Sequence, residues 1–459
     1  MADMRGMTVD RIAAAVGGAM IGCCDMYGAG INAVVADSRE VTPGCLFAAI
    51  PGERVDGHDF IDQAFEKGAL CCLSEKKLEN PKGICILVDS TVGALCKLAE
   101  YYRSQLEIPI IGVTGSVGKT TAKEMVASVL EQKYRVLKTE KNFNNNLGVP
   151  LTVLRIHPEH EAAVIEMGIS HFGEMREMAR IVRPDIALYT NIGEAHLEFL
   201  HDRSGVLRAK GEMLEFLQED GTLIVNGDDD LLSRLEAPQR IVRFGTGDGC
   251  EVRAEALSPL EGGGMSCTIT DGQCLIPAEI PAFGTHMVYA ALEGAAVGLA
   301  LGLTPEEIAK GIAAYETVGD RARLESLGSY SVVNDCYNAN PTSARAGIDS
   351  LATLEGRKVA ILGDMLELGA DGPDLHRALG AFAAERGTAL VIACGSELAE
   401  QIAQGALGKG TQAQYFSEKA ELIRAMPGLL QPGDAILVKA SHSLHFEDLV
   451  EEIRRLAAQ

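Results

Sequence analysis

At 459 residues and 47% apolar content, the chain is long enough for about three domains with packed cores. A net charge of −23, from 41 basic and 64 acidic side chains, argues against a broad nucleic-acid footprint and against an anionic membrane surface. Twelve cysteines without a C-x-x-C pair weaken a zinc reading; no signal peptide is read, so reduced, buried thiols of a cytoplasmic protein are expected.

Three blocks follow one another. Residues 1–105 read as a small α/β unit. The apolar, Ala/Gly-rich stretch Ile12 to Cys24 is expected to be a packed amphipathic helix rather than a targeting segment. Short strands are expected in AVVADSREVTPGCLFAAI, GALCCLSE and GICILVD, and helices in HDFIDQAFEKG and TVGALCKLAEYYRSQ. Residues 106–318 form the second block. It opens with the apolar run Ile108-Pro109-Ile110-Ile111, and its further β-branched runs AAVIEMG, DIALYTNIG and GTLIVNGDD suit a buried parallel sheet. The stretch RIVRFGTGDGCEVRAEALSPLEGGGMSCTITDG has strand and turn chemistry without helices and reads as an antiparallel appendage. MVYAALEGAAVGLALGL reads as a helix, and Glu293 interrupts it, so the region 287 to 303 is too broken for a membrane span. Residues 319–459, the third block, alternate again: SVVNDCYN, RKVAILGDM, ALVIACG and DAILVKAS.

Behind the first strand of the middle block lies GVTGSVGKTTAKEM. A glycine turn leading into a helix start gathers unpaired N–H groups and the positive helix dipole at one spot. The standard G-x-x-x-x-G-K-[ST] spacing would need glycine at 113, where Val113 stands. Gly115 and Gly118 are the working glycines of a tighter T-G-x-x-G-K-T-T form. The loop Gly115, Ser116, Val117, Gly118, Lys119, Thr120 and Thr121 is therefore expected to bind phosphate, Lys119 reaching the terminal phosphates and the Thr120 hydroxyl holding Mg²⁺. The bland alternative is a glycine turn with a chance Lys-Thr.

Other polar groups follow β-like runs, where doubly wound sheets place ligands. Glu166 ends AAVIE and can ligate Mg²⁺, against the reading of an ordinary strand-end acid. Asn191 and His196 follow DIALYT; a lone histidine is more often structural than a ligand. Lys210 in RAKGEML reads, on spacing alone, as a surface lysine. In NDCYNANPTSARAG, Asp335, Asn338 and Asn340 precede Pro341, which begins a helix with Asn340 or Thr342 near its cap. Such groups can read a base or ribose, or form a polar turn. Asp364 and Lys439 end two further strands.

Taken together, TGSVGKTT, NFNNNLGVPLTVL, EMGISHFGEM, NIGEAHLEFL, AKGEM, DCYNANPTS and LGDMLELG occur in the order found in Mur ligases, and the chain resembles that family over nearly its whole length. DSREVTPGCLFAAIPGERVDGHDFI, residues 37 to 61, is similar to a UDP-binding domain of the family. The resemblance implies an α/β protein of three domains: a UDP-binding unit, a central ATPase-like parallel sheet and a C-terminal Rossmann-like unit. It implies an ATP-dependent amide ligase that phosphorylates a carboxylate and lets an amine attack the acyl phosphate. The best match within the family implies UDP-N-acetylmuramoyl-tripeptide and D-alanyl-D-alanine as substrates in the last cytoplasmic step of peptidoglycan precursor synthesis, by a monomer without nucleic acid or membrane insertion.

By the family pattern, Lys119, His196 and Lys210 are catalytic. Thr120 and Glu166 hold one Mg²⁺, His196 a second, and Lys210 is carbamylated into a metal bridge. His286 lies by the adenine, Asn338 and Asn340 face the nucleotide, Asp335 and Lys439 lie near ribose and phosphates, and Arg321 reaches the phosphates. Ser38 and Arg39 contact the UDP part, and Asn144 and Asn145 lie along the sugar-peptide. The third block is implied to swing in over the nucleotide. Three departures stand out: Ala290 replaces an adenine-reading asparagine, Ala440 and His442 replace Gly and Arg of a V-K-G-S-R ending, and Asn334-Asp335 replaces two aspartates. They leave open a nucleotide-binding pseudo-ligase. The preceding, diamino-acid-adding ligase is disfavoured because no D-N-P-R-type segment is present; GDMLELG stands in its place.

Overall fold

Three β-sheets organise the computed structural model, which describes residues 3–22, 24–52, 54–260, 263–319 and 323–458. The first sheet orders its strands Ala19–Ile21, Ile84–Leu87, Cys71–Ser74, Leu46–Ala48, Val34–Val35, all parallel except the first. The expected helix over Ile12 to Cys24 is shorter and earlier. It covers Val9–Val16 and buries Val9, Ile12, Ala13 and Val16; the chain then turns at Gly17-Gly18 into the strand Ala19–Ile21. Paired glycines break the helical period there, which the Ala/Gly-rich composition concealed.

The middle sheet has nine strands. Its parallel part runs Arg240–Gly245, Thr222–Asn226, Ile186–Tyr189, Ile110–Thr114, Ala162–Glu166, Val136–Lys138. Ile110–Thr114 sits where successive connections change direction, the switch point of a doubly wound sheet. The presumed antiparallel appendage needs correction at its start. Arg240–Gly245 pairs parallel with Thr222–Asn226, and only Val252–Pro259, Met265–Thr270 and Leu275–Ile280 form an antiparallel meander continuing the same sheet. A parallel neighbour requires a crossover; here residues 227–239 supply it with a mere 3₁₀ turn, Leu232–Arg234, too short to leave a helical pattern.

The third sheet places Pro-preceding strand Tyr330–Asp335 beside Asp434–Lys439, with Arg357–Gly363, Leu390–Cys394 and Gln412–Phe416 beyond, all parallel; Arg323–Leu327 adds an antiparallel edge. It has an apolar layer on each face. By contrast, one continuous core joins the first unit to the middle one, packing Leu95, Leu98 and Tyr102 of the helix Thr91–Arg103 with Val153, Met178 and Val182. Arg103, buried, fastens that joint: its guanidinium donates to the carbonyls of Val182 (2.8 Å) and Arg183 (2.9 Å) and to Asp185 (3.0 Å). Among the described residues no helix is long and apolar enough to cross a membrane. Cys45, Cys71, Cys72, Cys85, Cys267, Cys336 and Cys394 are buried thiols outside any disulfide.

Candidate active site

The strand Ile110–Thr114 delivers the chain into the glycine loop, and Gly118, at φ 82°, turns it into the helix Lys119–Leu130. Gly115 has φ 155°, and a Cβ on it would lie 1.9 Å from Thr190 Oγ1. The loop is laced to the end of the neighbouring strand. Asn191 accepts from the Val117 N–H and donates to the Val117 carbonyl, both at 3.0 Å. Ser116 N–H donates to the Asn191 carbonyl, and Gly193 N–H donates to Ser116 Oγ at 2.9 Å. Asn191 is thus a brace for the loop.

Lys119 folds back on the loop, its Nζ 2.9 Å from the Gly115 carbonyl. Thr120 Oγ1 donates to Glu166 Oε2 at 2.9 Å, and Asn144 Nδ2 donates to Glu166 Oε1 at 2.8 Å. Glu166 is buried at 2% exposure, so a hydroxyl and a carboxylate already face each other at the helix start. These hard oxygen donors suit Mg²⁺, although among the described residues no ready-made cluster of three His, Cys, Asp or Glu exists.

His196 Nδ1 meets Glu367 Oε2 at 2.5 Å across from the third sheet. Burial lowers the ring's pKa, Glu367 opposes this, and the charges of Lys210 and Lys119 lower it further. The surface reading of Lys210 fails: the helix Arg203–Gly211 buries Val206, Ala209 and Lys210, the last at 1% exposure. Desolvation holds its amine well below the usual lysine range, and the Lys119 charge adds to this. The helical period alone could not reveal which face was covered. Tyr189, buried beneath, donates to the Lys210 carbonyl at 3.0 Å.

A cleft of about 820 Å³ separates this floor from the third sheet. Its lining brings together Ser116 to Thr121, Asn144, Asn145, Glu166, His196, His286, Asp335, Asn338, Asn340 and Lys439. Asp335 and Lys439 stand in register on neighbouring strands and form an ion pair, Lys439 also donating to the Asn338 carbonyl at 2.9 Å. Asn340 caps the helix Pro341–Ala352, its Oδ1 accepting from Ser343 N–H at 2.8 Å. Asn145 likewise spends its Oδ1 on the Gly148 N–H at 2.8 Å. Desolvation lowers the His286 pKa, against the pull of Asp335. The third unit rests on the loop segment through Thr342, which accepts from Glu194 N–H at 3.4 Å, and Arg345, 3.7 Å from Glu194.

Some expected residues stand apart. Gly115 and Lys210 are buried and do not line the cleft. Ser38 and Arg39 belong to the first unit: Arg39 is exposed and paired with Asp37 at 2.6 Å, which holds Asp37 down at about 2, and the Ser38 carbonyl accepts from Lys67. Arg321 lies outside the described residues. Glu367 and Glu293 were not singled out as site residues by sequence reasoning; Glu367 was only part of LGDMLELG, and no pattern distinguishes a loop acid that reaches across a cleft.

A glycine loop of phosphate-binding form at the switch point of a parallel sheet, roofed by a second α/β unit, defines a class of phosphate-loop enzymes with the site between two units. Family models agree with residues 30–114 ("Mur ligase family, catalytic domain"), 113–298 ("Mur ligase middle domain") and 322–442 ("Mur ligase, glutamate ligase domain"). The UDP-N-acetylmuramoyl-tripeptide–D-alanyl-D-alanine ligase of Bacillus subtilis (strain 168) is 40% identical over 430 residues, 92% of this chain and 93% of that protein. MurF from Acinetobacter baumannii superposes with a TM-score of 0.88 at 31% identity, covering 99% of this chain and 100% of the other. The MurF ligase of Thermotoga maritima in complex with ADP superposes at 0.82 with 28% identity, covering 93% and 98%. The chain belongs to the Mur ligase family.

Proposed function

We propose that this protein joins D-alanyl-D-alanine to UDP-N-acetylmuramoyl-tripeptide in the cytoplasm, as a monomer, using ATP and an acyl-phosphate intermediate. The observation that carries the reading is the juxtaposition of Lys119, Thr120 and Glu166 at the base of a cleft that the third sheet roofs with Lys439 and Asn338. The units would divide near residues 105 and 318.

The terminal phosphates of ATP would lie over the N–H groups of Ser116 to Thr121. Lys119 would leave the Gly115 carbonyl to offset charge as the tripeptide carboxylate attacks the γ-phosphorus and ADP departs. The dipeptide amine then attacks the acyl carbon, loses a proton, and inorganic phosphate leaves. Mg²⁺, when bound, would neutralise the crowded phosphate and carboxylate oxygens; Thr120 and Glu166 fit one ion and His196 a second. Lys210 suits carbamylation because burial lowers its amine pKa and so favours the unprotonated form, the one that adds to CO₂ with release of a proton. Lys439 and Asp335 would order the nucleotide from the roof, and Arg321 would reach its phosphates. Ser38 and Arg39 would hold the UDP group once Arg39 exchanges Asp37 for phosphate, and Asn144 and Asn145 would flank the sugar-peptide.

The test is phosphate release from ATP by the purified chain with Mg²⁺ and bicarbonate. Release is expected only when both substrates are present, with the pentapeptide product seen by mass. Nucleotide binding without release under those conditions would instead establish the pseudo-ligase.

A further inference from the structure

The helix His286–Ala300 forms one wall of the cleft, and Met287, Ala290 and Glu293, three residues apart, share the face that lines it. It packs on the helix that follows the phosphate loop: a Cβ on Gly294 would lie 3.1 Å from Met125 Cγ, about one turn beyond Thr121. The wall and the phosphate loop line one cleft, along which a nucleotide held by that loop would extend. Of the three side chains only Glu293 can hydrogen-bond through more than sulfur. It is 4% exposed, and among the described residues nothing hydrogen-bonds or pairs with its carboxyl.

An unpaired carboxyl in such a place costs stability unless something entering the cleft completes it. Burial pushes Glu293 well above the ordinary carboxylate range and so favours the neutral acid, which carries a donor and an acceptor on one planar group. An aminopurine offers the complementary pair, an exocyclic N–H and an adjacent ring nitrogen. The asparagine of the family pattern would stand one turn away, at Ala290, where this chain has no amide.

We infer that Glu293 reads the base of the bound nucleotide, its carbonyl oxygen accepting from the 6-amine of adenine and its hydroxyl donating to the neighbouring ring nitrogen. This rests on the ligase reading only in taking the nucleotide to be ATP.

The test uses the full chain and its Glu293→Ala and Glu293→Gln variants, titrated with ADP and with purine riboside diphosphate, which lacks the 6-amine. The parent is expected to bind ADP about tenfold more tightly than the analogue. Glu293→Ala should lose about tenfold for ADP and bring the preference close to one, and Glu293→Gln, whose amide keeps a donor and an acceptor, should stay within about threefold of the parent. Equal ADP affinity and an intact preference in Glu293→Ala would overturn the inference. If that variant does not fold, a parent without preference for ADP over the analogue overturns it equally. Ligation assays on the parent separate the two ideas. Base reading lost at Glu293 with no ligation sinks the ligase reading alone, and ligation with base preference independent of Glu293 sinks the inference alone.

Discussion

Gly115→Ala puts a methyl group where the loop has no room for one. Its Cβ would fall 1.9 Å from Thr190 Oγ1 and 3.0 Å from Thr190 Cβ, at φ 155°. The hydroxyl cannot yield freely, because it donates to the Val117 carbonyl. Two costs follow. A non-glycine residue in that backbone region costs about 1–3 kcal/mol, and breaking the Thr190–Val117 bond about 1 kcal/mol more. If the loop relieves the clash by leaving the shape that presents its N–H groups, a total of ~2–4 kcal/mol should appear mainly in binding, lowering ADP affinity by about 30- to 1000-fold. Calorimetric titration with ADP measures it. A double-mutant cycle with Thr190→Gly isolates the steric part: that change removes both colliding atoms, so the double variant should recover part of the loss while the backbone strain remains. Parent-like ADP affinity in Gly115→Ala would refute the reasoning, as would strict additivity in the cycle.

Gly118→Ala should be far milder, because no atom lies within 4 Å of its Cβ and only the strain of φ 82° remains, about 1 kcal/mol or fivefold in ADP affinity by the same titration. Asn191→Ala removes both side-chain bonds to Val117 and should weaken ADP binding by about tenfold in the same titration. Lys210→Met should abolish ligation yet leave the fold at least as stable as the parent at pH 7 in metal-free, bicarbonate-free buffer, measured by urea unfolding. The sign follows from linkage: the folded pKa of Lys210 lies below its unfolded value, so between them the unfolded chain binds the extra proton and parent stability rises with pH. The variant lacks that slope, so its advantage should shrink toward pH 10; a flat difference would show that Lys210 is charged when folded. Glu367→Ala frees His196 Nδ1 and should lower kcat severalfold in steady-state ligation assays.

The alternation of short β-branched runs and helical stretches made the three α/β units readable, and the Gly-Lys-Thr loop behind an apolar run located the cleft floor. What escaped had no local signature. Lys210 is buried by neighbours far away in sequence, and a helical pattern of nine residues cannot say which face a second layer covers. Arg240–Gly245 read as part of an antiparallel appendage because its parallel crossover contains only a 3₁₀ turn. Glu367 meets His196 across 171 positions of chain, and Glu293 seemed merely an interruption in an apolar run. Asn340 is the opposite case: proline after asparagine announced a helix cap, and the cap is what part of that amide serves.

The joint at Arg103 has a consequence for how the molecule comes apart. The first unit and the middle sheet share apolar layers and a buried guanidinium clasp, so neither can lose its interior without exposing that of the other. The last unit keeps its own two layers and meets the middle one through the polar groups Glu194, Arg345 and His196, with Phe283 and Leu375 as apolar contacts at the joint. Heating should therefore melt the chain in two cooperative steps rather than three. A saturating nucleotide, touching both sides of the cleft, should draw those steps toward one.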